Sequence, residues 1–133
     1  MKIVVIASGD PLDISTWSGT PLHMVRALQK KLPGLVILRS VFPAIYSEIR
    51  HRLRSVTRGS VDINWLFPTS ILAAIPTLIK IAYHRPDFVI CIANTTVGAT
   101  ISYFYPTVHI SDATFSLMRN YYDYFSRFHP WIK

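Results

Sequence analysis

Four short apolar runs rich in Val and Ile divide the chain, and each gives way to a polar loop. The runs are Lys2–Ala7, Leu35–Leu38, Phe88–Ala93 and Thr107–Ile110. Continuous runs of this length are typical of strands buried on both faces of a parallel sheet. The pattern therefore predicts four strands.

The first two runs are separated by a segment with helical periodicity. Apolar residues recur there at spacings of three or four, at Leu22, Val25, Leu28 and Leu32. Thr20 is a candidate N-cap, Pro21 suits the first helical position, and Pro33-Gly34 ends the helix. Strand, helix and strand in this order predict a parallel pair joined by a crossover helix.

Further helices are predicted between and after the later runs. They are a basic helix in Ser47–Arg58, a buried helix over Thr69–Tyr83 that is kinked or restarted at Pro76, a helix over Val97–Tyr103, and an aromatic helix over Thr114–Phe125. The alternation predicts an α/β fold, a Rossmann-like parallel sheet with helices on both faces. At 133 residues the chain has room for one such domain.

Net charge and cysteine content indicate an anionic partner and a cytoplasmic location. The formal net charge is +7, which favours nucleic acid, phospholipid or a phosphorylated substrate. The single cysteine, Cys91, lies in an apolar run, which suits a core thiol in a reducing cytoplasm. No apolar stretch reaches the roughly 18 residues of a membrane span. We therefore expect a cytoplasmic protein.

The residues that could carry chemistry lie in the loops after the strands, because ligands of parallel sheets bind at the carboxyl ends. In the first loop, Ser18, Gly19 and Thr20 precede a helix N-terminus, a suitable seat for phosphate. The same residues also fit a simple turn and cap. Asp112, after the fourth strand, is either a group that holds or deprotonates an acceptor hydroxyl or a helix cap.

Histidines do not form a recognisable metal site. The five are scattered, without the spacing of a zinc motif, so neither a metal nor another cofactor is predicted. His23 and His109 are interpreted as packed or surface imidazoles.

Two segments, Thr16-Trp17-Ser18-Gly19-Thr20-Pro21 and Ser111-Asp112-Ala113-Thr114-Phe115, resemble the N-terminal domain of family 4 glycosyltransferases. Members of this family have a GT-B fold of two Rossmann-like domains. They transfer a sugar from a nucleotide donor to an acceptor, usually with retention and without a metal. The resemblance spans nearly the whole chain, although only these two segments are specific.

The resemblance implies a role for particular residues. Ser18, Gly19 and Thr20 would face the donor diphosphate. The acceptor side of the cleft would be lined by Asp10, Trp17, Asn94, Ser111, Asp112 and Thr114. Many relatives carry a His-Asp pair where this chain has Ser111-Asp112, so no histidine role passes to His109.

The resemblance also implies that residues 1–133 are an acceptor-side domain, itself incomplete, without the C-terminal domain that holds most of the donor. Charge develops on the departing diphosphate, and its stabilisation is commonly the largest catalytic contribution. We therefore expect the chain alone to be inactive. The expected partners are the nucleotide-sugar, once the second domain is present, and a glycan or lipid-linked acceptor.

A different hypothesis treats the chain as a stand-alone basic module that binds an anionic lipid surface or nucleic acid. Its binding face would be Arg50, Arg52, Arg54 and Arg58 on the basic helix. The alternative for these arginines is a solvated face. Nucleic acid is not expected, since basic and aromatic residues do not interleave as in RNA-binding sheets. A lipid-linked acceptor would place a glycosyltransferase peripherally on an anionic membrane, and the glycosyltransferase and lipid-binding hypotheses would then both hold.

Overall fold

The computed structural model describes residues 1–40, 44–63 and 67–111. Four parallel strands form the sheet: β1 (Ile3–Ala7), β2 (Val36–Arg39), β3 (Phe88–Ile92) and β4 (Thr107–Ile110). The helices are α1 (Thr20–Lys31), α2 (Ala44–Val56), α3 (Phe67–His84) and α4 (Thr95–Ile101). The chain thus forms a Rossmann-like α/β domain, which confirms the predicted fold class.

The strand order in the sheet is β2-β1-β3-β4. β1 and β3 lie side by side at the centre, with Val5 opposite Ile90 and Ala7 opposite Ile92. The chain leaves β1 toward β2 on one side and leaves β3 toward β4 on the other. Adjacent strands whose connections diverge in this way define a topological switch point, where the carboxyl ends open a crevice.

Both faces of the sheet are covered, because alternate side chains of each strand point to opposite sides. On one face, Val5 and Ile90 pack with Val25 of α1. On the other, Val4 and Cys91 join a cluster with α3 and α4. Every residue of β1 is buried, as the continuous apolar run predicted.

Several helix boundaries differ by one to three residues from the predictions; α2, for example, begins at Ala44 rather than Ser47. Gly19, in the left-handed region at φ 77°, is the N-cap of α1, and Thr20 is its first residue, so the helix begins one residue earlier than predicted. α4 begins at Thr95, since the Asn94 side chain accepts a hydrogen bond from the Val97 N–H and caps it.

The third helix departs more from its prediction. α3 runs through Pro76 as a single helix rather than restarting there. It is also not buried all round: Ala73, Ala74, Thr77 and Ile81 face the interior, whereas several large apolar residues of α3 are exposed. The prediction of a buried helix is therefore wrong for its outer face. The predicted helix over Thr114–Phe125 lies outside the described residues.

Candidate functional site

Polar residues after the strands meet at one edge of the sheet because all four strands are parallel. The loop after β1 runs from Ser8 to Gly19, Ser40 follows β2, Asn94 comes soon after β3 and Ser111 follows β4. We call the region around the carboxyl ends of β1 and β3, with the loops 8–19 and 93–94, the switch-point edge. It contains six of the nine predicted cleft and diphosphate residues: Asp10, Trp17, Ser18, Gly19, Thr20 and Asn94.

Two aspartates organise the first part of the long loop. The Asp10 carboxylate accepts a hydrogen bond from the Leu12 N–H at 2.9 Å, and the Asp13 carboxylate accepts one from the Ser15 N–H at 2.8 Å. Each is a local turn that an Asx side chain makes with the backbone two residues on. Hydrogen bonds from the backbone and then the side chain of Ser15 lower the pKa of Asp13 below its ordinary value.

Asp10 also ties the loop to the neighbouring strand. Its Oδ2 lies 2.6 Å from Nη2 of Arg39, the last residue of β2. Asp10 was predicted to line an acceptor cleft, and the structure shows its carboxylate engaged by both Leu12 and Arg39. A ligand that contacted Asp10 would therefore also meet the guanidinium of Arg39.

The segment before α1 has an unusual backbone. Trp17, Ser18 and Gly19 lie consecutively in the left-handed region, with φ of 47°, 55° and 77°. Side chains with a Cβ rarely adopt this region, and residues that do so commonly cluster at binding and catalytic sites. The fold therefore holds the predicted diphosphate segment in a conformation that local preferences alone do not favour.

The N-terminus of α1 follows this segment directly. Its N-cap residue Gly19 makes no side-chain cap, and Pro21 carries no N–H. The Thr20 N–H donates to the Trp17 carbonyl. The positive end of the helix macrodipole nevertheless lies beside Ser18 and Gly19, and Ser18 and Thr20 are exposed to solvent.

Asn94, in the β3–α4 connection, holds the edge together. It is buried, and its Nδ2 donates to the Ala7 carbonyl at 3.4 Å and to the Ser40 hydroxyl at 2.5 Å. Its Oδ1 caps α4. One side chain thus connects the carboxyl ends of β1, β2 and β3. These contacts make Asn94 a positioning residue, whereas its predicted place in the acceptor cleft stays a prediction.

Arg39 and Ser40 contact the switch-point edge from the end of β2 and were not among the predicted site residues. Both stand at the end of the second predicted strand, and a polar residue at that position of any parallel strand lies on the same side of the sheet as the others. Candidate residues were predicted only after the first, third and fourth strands. Ser111 is exposed at the carboxyl end of β4, while Asp112 and Thr114 lie outside the described residues.

The two histidines of interest are placed differently. His23 is exposed on α1. The His109 ring packs against Gly98 of α4 so closely that a Cβ on Gly98 would lie 2.5 Å from its Cε1. Partial burial lowers the pKa of His109 below its ordinary value. In residues 1–40, 44–63 and 67–111, no group of three or more His, Cys, Asp or Glu could hold a metal ion.

The predicted basic face of α2 is partly neutralised within the domain. Arg50 forms a two-pronged pair with the buried Asp62, with Nε to Oδ1 at 3.0 Å and Nη2 to Oδ2 at 2.8 Å. Arg52 pairs with Glu48 one helical turn away. Arg54 is exposed on α2, whereas Arg58, also exposed, lies in the turn beyond the helix end at Val56 and so is not on the helix as predicted. The Arg50 guanidinium is therefore held by Asp62 within the domain. An anionic surface would have to contact the remaining arginines, Arg52, Arg54 and Arg58.

An apolar groove of about 270 Å³ lies elsewhere, between α1 and the strands β3 and β4. It is lined by Met24, Ala27, Leu28, Phe88, Ile90, Val108 and Ile110. A sugar nucleotide needs hydrogen-bonding partners, and this lining offers no polar side chain. The switch-point edge is the better candidate site.

The fold and this edge together define the chain as a Rossmann-like α/β domain with a topological switch point between β1 and β3. No family model matches the chain, and no match was found among curated proteins or solved structures. Within the described residues, no helix has the length and apolarity needed to cross a membrane.

Proposed function

We propose that this chain is the acceptor-side domain of a glycosyltransferase that moves a sugar from a nucleotide donor to a glycan or lipid-linked acceptor. One observation carries the proposal. The segment that resembles the diphosphate-facing loop of family 4 glycosyltransferases stands at the switch point, where parallel sheets bind their ligands. Because this fold alone is compatible with many functions, the proposal depends on the position of the resembling segment at the switch point.

In the proposed reaction the residues of the edge orient the two substrates. Ser18, Gly19 and the N-terminus of α1 would lie against the diphosphate, whose negative charge the helix dipole favours. Ser111 and the following Asp112 would hold the acceptor hydroxyl. Because the donor would contact mainly a second domain, the chain by itself would bind nucleoside diphosphates weakly and transfer no sugar.

Calorimetric titration of the chain with uridine, guanosine and adenosine diphosphates tests the proposal, and the matching nucleosides serve as ligand controls. At least one diphosphate should bind, and its nucleoside should not. Ser18→Asp should weaken that binding roughly fivefold, since two like charges about 4 Å apart in water repel by about 1 kcal/mol.

Ser55→Asp is the matched protein control, because it adds the same charge to the exposed side of α2. The proposal predicts almost unchanged binding for this variant. If Ser55→Asp weakens diphosphate binding and Ser18→Asp does not, the phosphate site is the arginine face of α2, and the stand-alone basic module becomes the better account. Equal binding of nucleosides and diphosphates would also contradict the proposal.

A further inference from the structure

The outer face of α3 is apolar along its whole described length. From Ser70 to His84, the exposed side chains of α3 are Ile71, Leu72, Ile75, Ile79, Lys80, Ala82 and Tyr83. Lys80 is the only one of these that carries a charge. Ile79 and Tyr83 expose 66% and 84% of their surface, so these are fully accessible side chains rather than partly covered core residues.

These apolar residues form one continuous stripe. At 3.6 residues per turn, Ile71, Leu72, Ile75, Ile79, Ala82 and Tyr83 fall within an arc of about 120°, and they extend about 18 Å along the helix. Lys80 lies roughly 60° beyond the stripe. The opposite side of α3 packs on the sheet through Ala74 and Ile81. The stripe therefore faces away from the core. We call it the α3 stripe.

The segment that contains α2 and α3 carries an excess of positive charge. Between Ala44 and Arg85 the chain has six Lys and Arg residues and two carboxylates, Glu48 and Asp62. Asp62 is buried, so Glu48 is the only exposed carboxylate in this segment. α2, which carries three of these cations, packs on α3 in a cluster that includes Tyr46 and Ala73. A surface that suits this segment is apolar where it meets the stripe and negatively charged overall.

We propose that the α3 stripe docks the domain on an anionic phospholipid bilayer. A helix with an apolar face beside cationic side chains lies in the plane of such an interface, with the apolar residues at the boundary of headgroups and acyl chains. Lys80 extends its ammonium to the phosphates while its methylenes stay with the apolar side chains. Tyr83, at the last turn of α3, suits the headgroup level.

This site differs from the arginine face predicted from the sequence, because the apolar stripe supplies the insertion and the cations only add to it. The inference is independent of sugar transfer. A failure to bind nucleoside diphosphates would leave it intact, and a failure to bind vesicles would leave the diphosphate proposal intact.

Vesicle cosedimentation of the full chain tests the docking. The chain should pellet with vesicles of equimolar phosphatidylcholine and phosphatidylglycerol, and several-fold less with phosphatidylcholine alone. The double variant Ile75→Gln/Ile79→Gln should reduce its partition coefficient by about tenfold or more, since two exposed isoleucines lose their transfer into the interface. Leu72→Gln/Tyr83→Gln, from the same stripe, should give the same result if the first variant folds poorly.

Leu12→Gln/Ile14→Gln is the matched control, because it removes two exposed apolar residues from the β1–α1 loop. Its partition should equal that of the unaltered chain. If this loop variant loses binding and the stripe variants keep it, the proposal is overturned. It is also overturned if sedimentation equilibrium shows a dimer that the stripe substitutions dissociate while vesicles bind none of the proteins.

A fluorescent label locates the contact directly. Cys91 is buried, and burial raises the pKa of its thiol to about 12, so a thiol-reactive environment-sensitive dye will attach to an introduced cysteine instead. The dye on Ile79→Cys should shift to the blue and brighten when anionic vesicles are added. The dye on Ile14→Cys should not, and the reverse result would contradict docking through α3.

Discussion

Two connections leave the carboxyl ends of the central strands, and they are built in opposite ways. The β3–α4 connection has only Ala93 and Asn94 between strand and helix, and Asn94 is buried. The β1–α1 loop takes the twelve residues from Ser8 to Gly19, and most of these are exposed. The first satisfies its polar groups internally, and the second presents them to solvent.

The two connections therefore have different roles at the same edge of the sheet: the short one supports the fold, and the long one is accessible to a ligand. A buried amide that bonds three strand ends fixes the edge and leaves no group for a ligand. A long loop held by two Asx turns and an ion pair keeps a defined shape while its surface stays accessible, which is the usual setting of binding residues. Substitutions should therefore affect stability through the short connection and binding through the long loop.

The largest expected effect is from Asn94→Ala. This change removes the cap of α4 and the hydrogen bonds to Ala7 and Ser40. With each buried bond worth about 1 kcal/mol, the free energy of unfolding should fall by about 2–3 kcal/mol in urea denaturation. Ser40→Ala removes one of these contacts and should cost about 1 kcal/mol. Equal losses for both variants would contradict the role given to Asn94.

The second largest effect on stability is expected from Gly98→Ala, because Gly98 of α4 packs tightly against His109. A methyl group at Gly98→Ala would lie 2.5 Å and 2.9 Å from two atoms of the His109 ring. Overpacking of this kind costs about 1–3 kcal/mol, from which the better helix propensity of Ala subtracts up to about 1 kcal/mol. Thermal and urea unfolding should show a net loss. In the background of His109→Ala most of that loss should disappear, while the Cys91 Cβ at 3.2 Å stays a tight neighbour. Persistence of the full loss would refute the contact with His109.

A smaller effect of opposite sign is expected in the long loop. Ser18→Gly places a residue that tolerates φ of 55° where serine is strained, and should raise the free energy of unfolding by about 0.5–1 kcal/mol. Ser15→Gly is the matched control, since Ser15 has an ordinary φ of −73° and bonds Asp13. It should lower stability. A gain at both positions would mean that the left-handed turn is not strained.

The smallest effect is a dependence of stability on pH, which arises from His109 beside α4. The folded state holds the pKa of His109 below its ordinary value of 6.5, so the unfolded chain binds more protons between those two values. Stability should therefore rise with pH through this window. The destabilising contribution should be complete below the folded pKa and vanish above about pH 6.5. His109→Gln should remove this dependence in urea unfolding measured across the window, and an unchanged profile would assign it to another group.

The two central strands, β1 and β3, were predictable because strands buried on both faces appear as continuous apolar runs. The outer strands β2 and β4 contain no buried residue, so the prediction of burial on both faces is wrong for them, although β4 has the predicted bounds, Thr107–Ile110. The outer face of α3 was not predictable in the same way. Nearly every position in Ser70–Tyr83 is apolar, so periodicity gives little contrast between the side that packs on the sheet and the side that faces solvent.

Some features of the candidate site were likewise predictable from the sequence, and others were not. Loops after the first, third and fourth strands were expected at one edge, since that follows from a parallel sheet. The contacts Asp10–Arg39 and Asn94–Ser40 join residues 29 and 54 positions apart, and local patterns carry no information on such pairs. The left-handed conformation of Trp17 and Ser18 was likewise unforeseen, because neither residue type favours it.

The β1–α1 loop is expected to recognise phosphate, and the β3–α4 connection is not. The most direct measurement is a titration of the ¹⁵N-labelled chain with inorganic pyrophosphate, followed through the backbone amide shifts. Saturable shifts should be concentrated at Ser18, Gly19, Thr20 and Leu22, with Asn94 and Thr95 almost unchanged. Shifts concentrated instead at Arg54 of α2 and Arg58 just after it, or spread evenly without saturation, would contradict phosphate recognition by the β1–α1 loop.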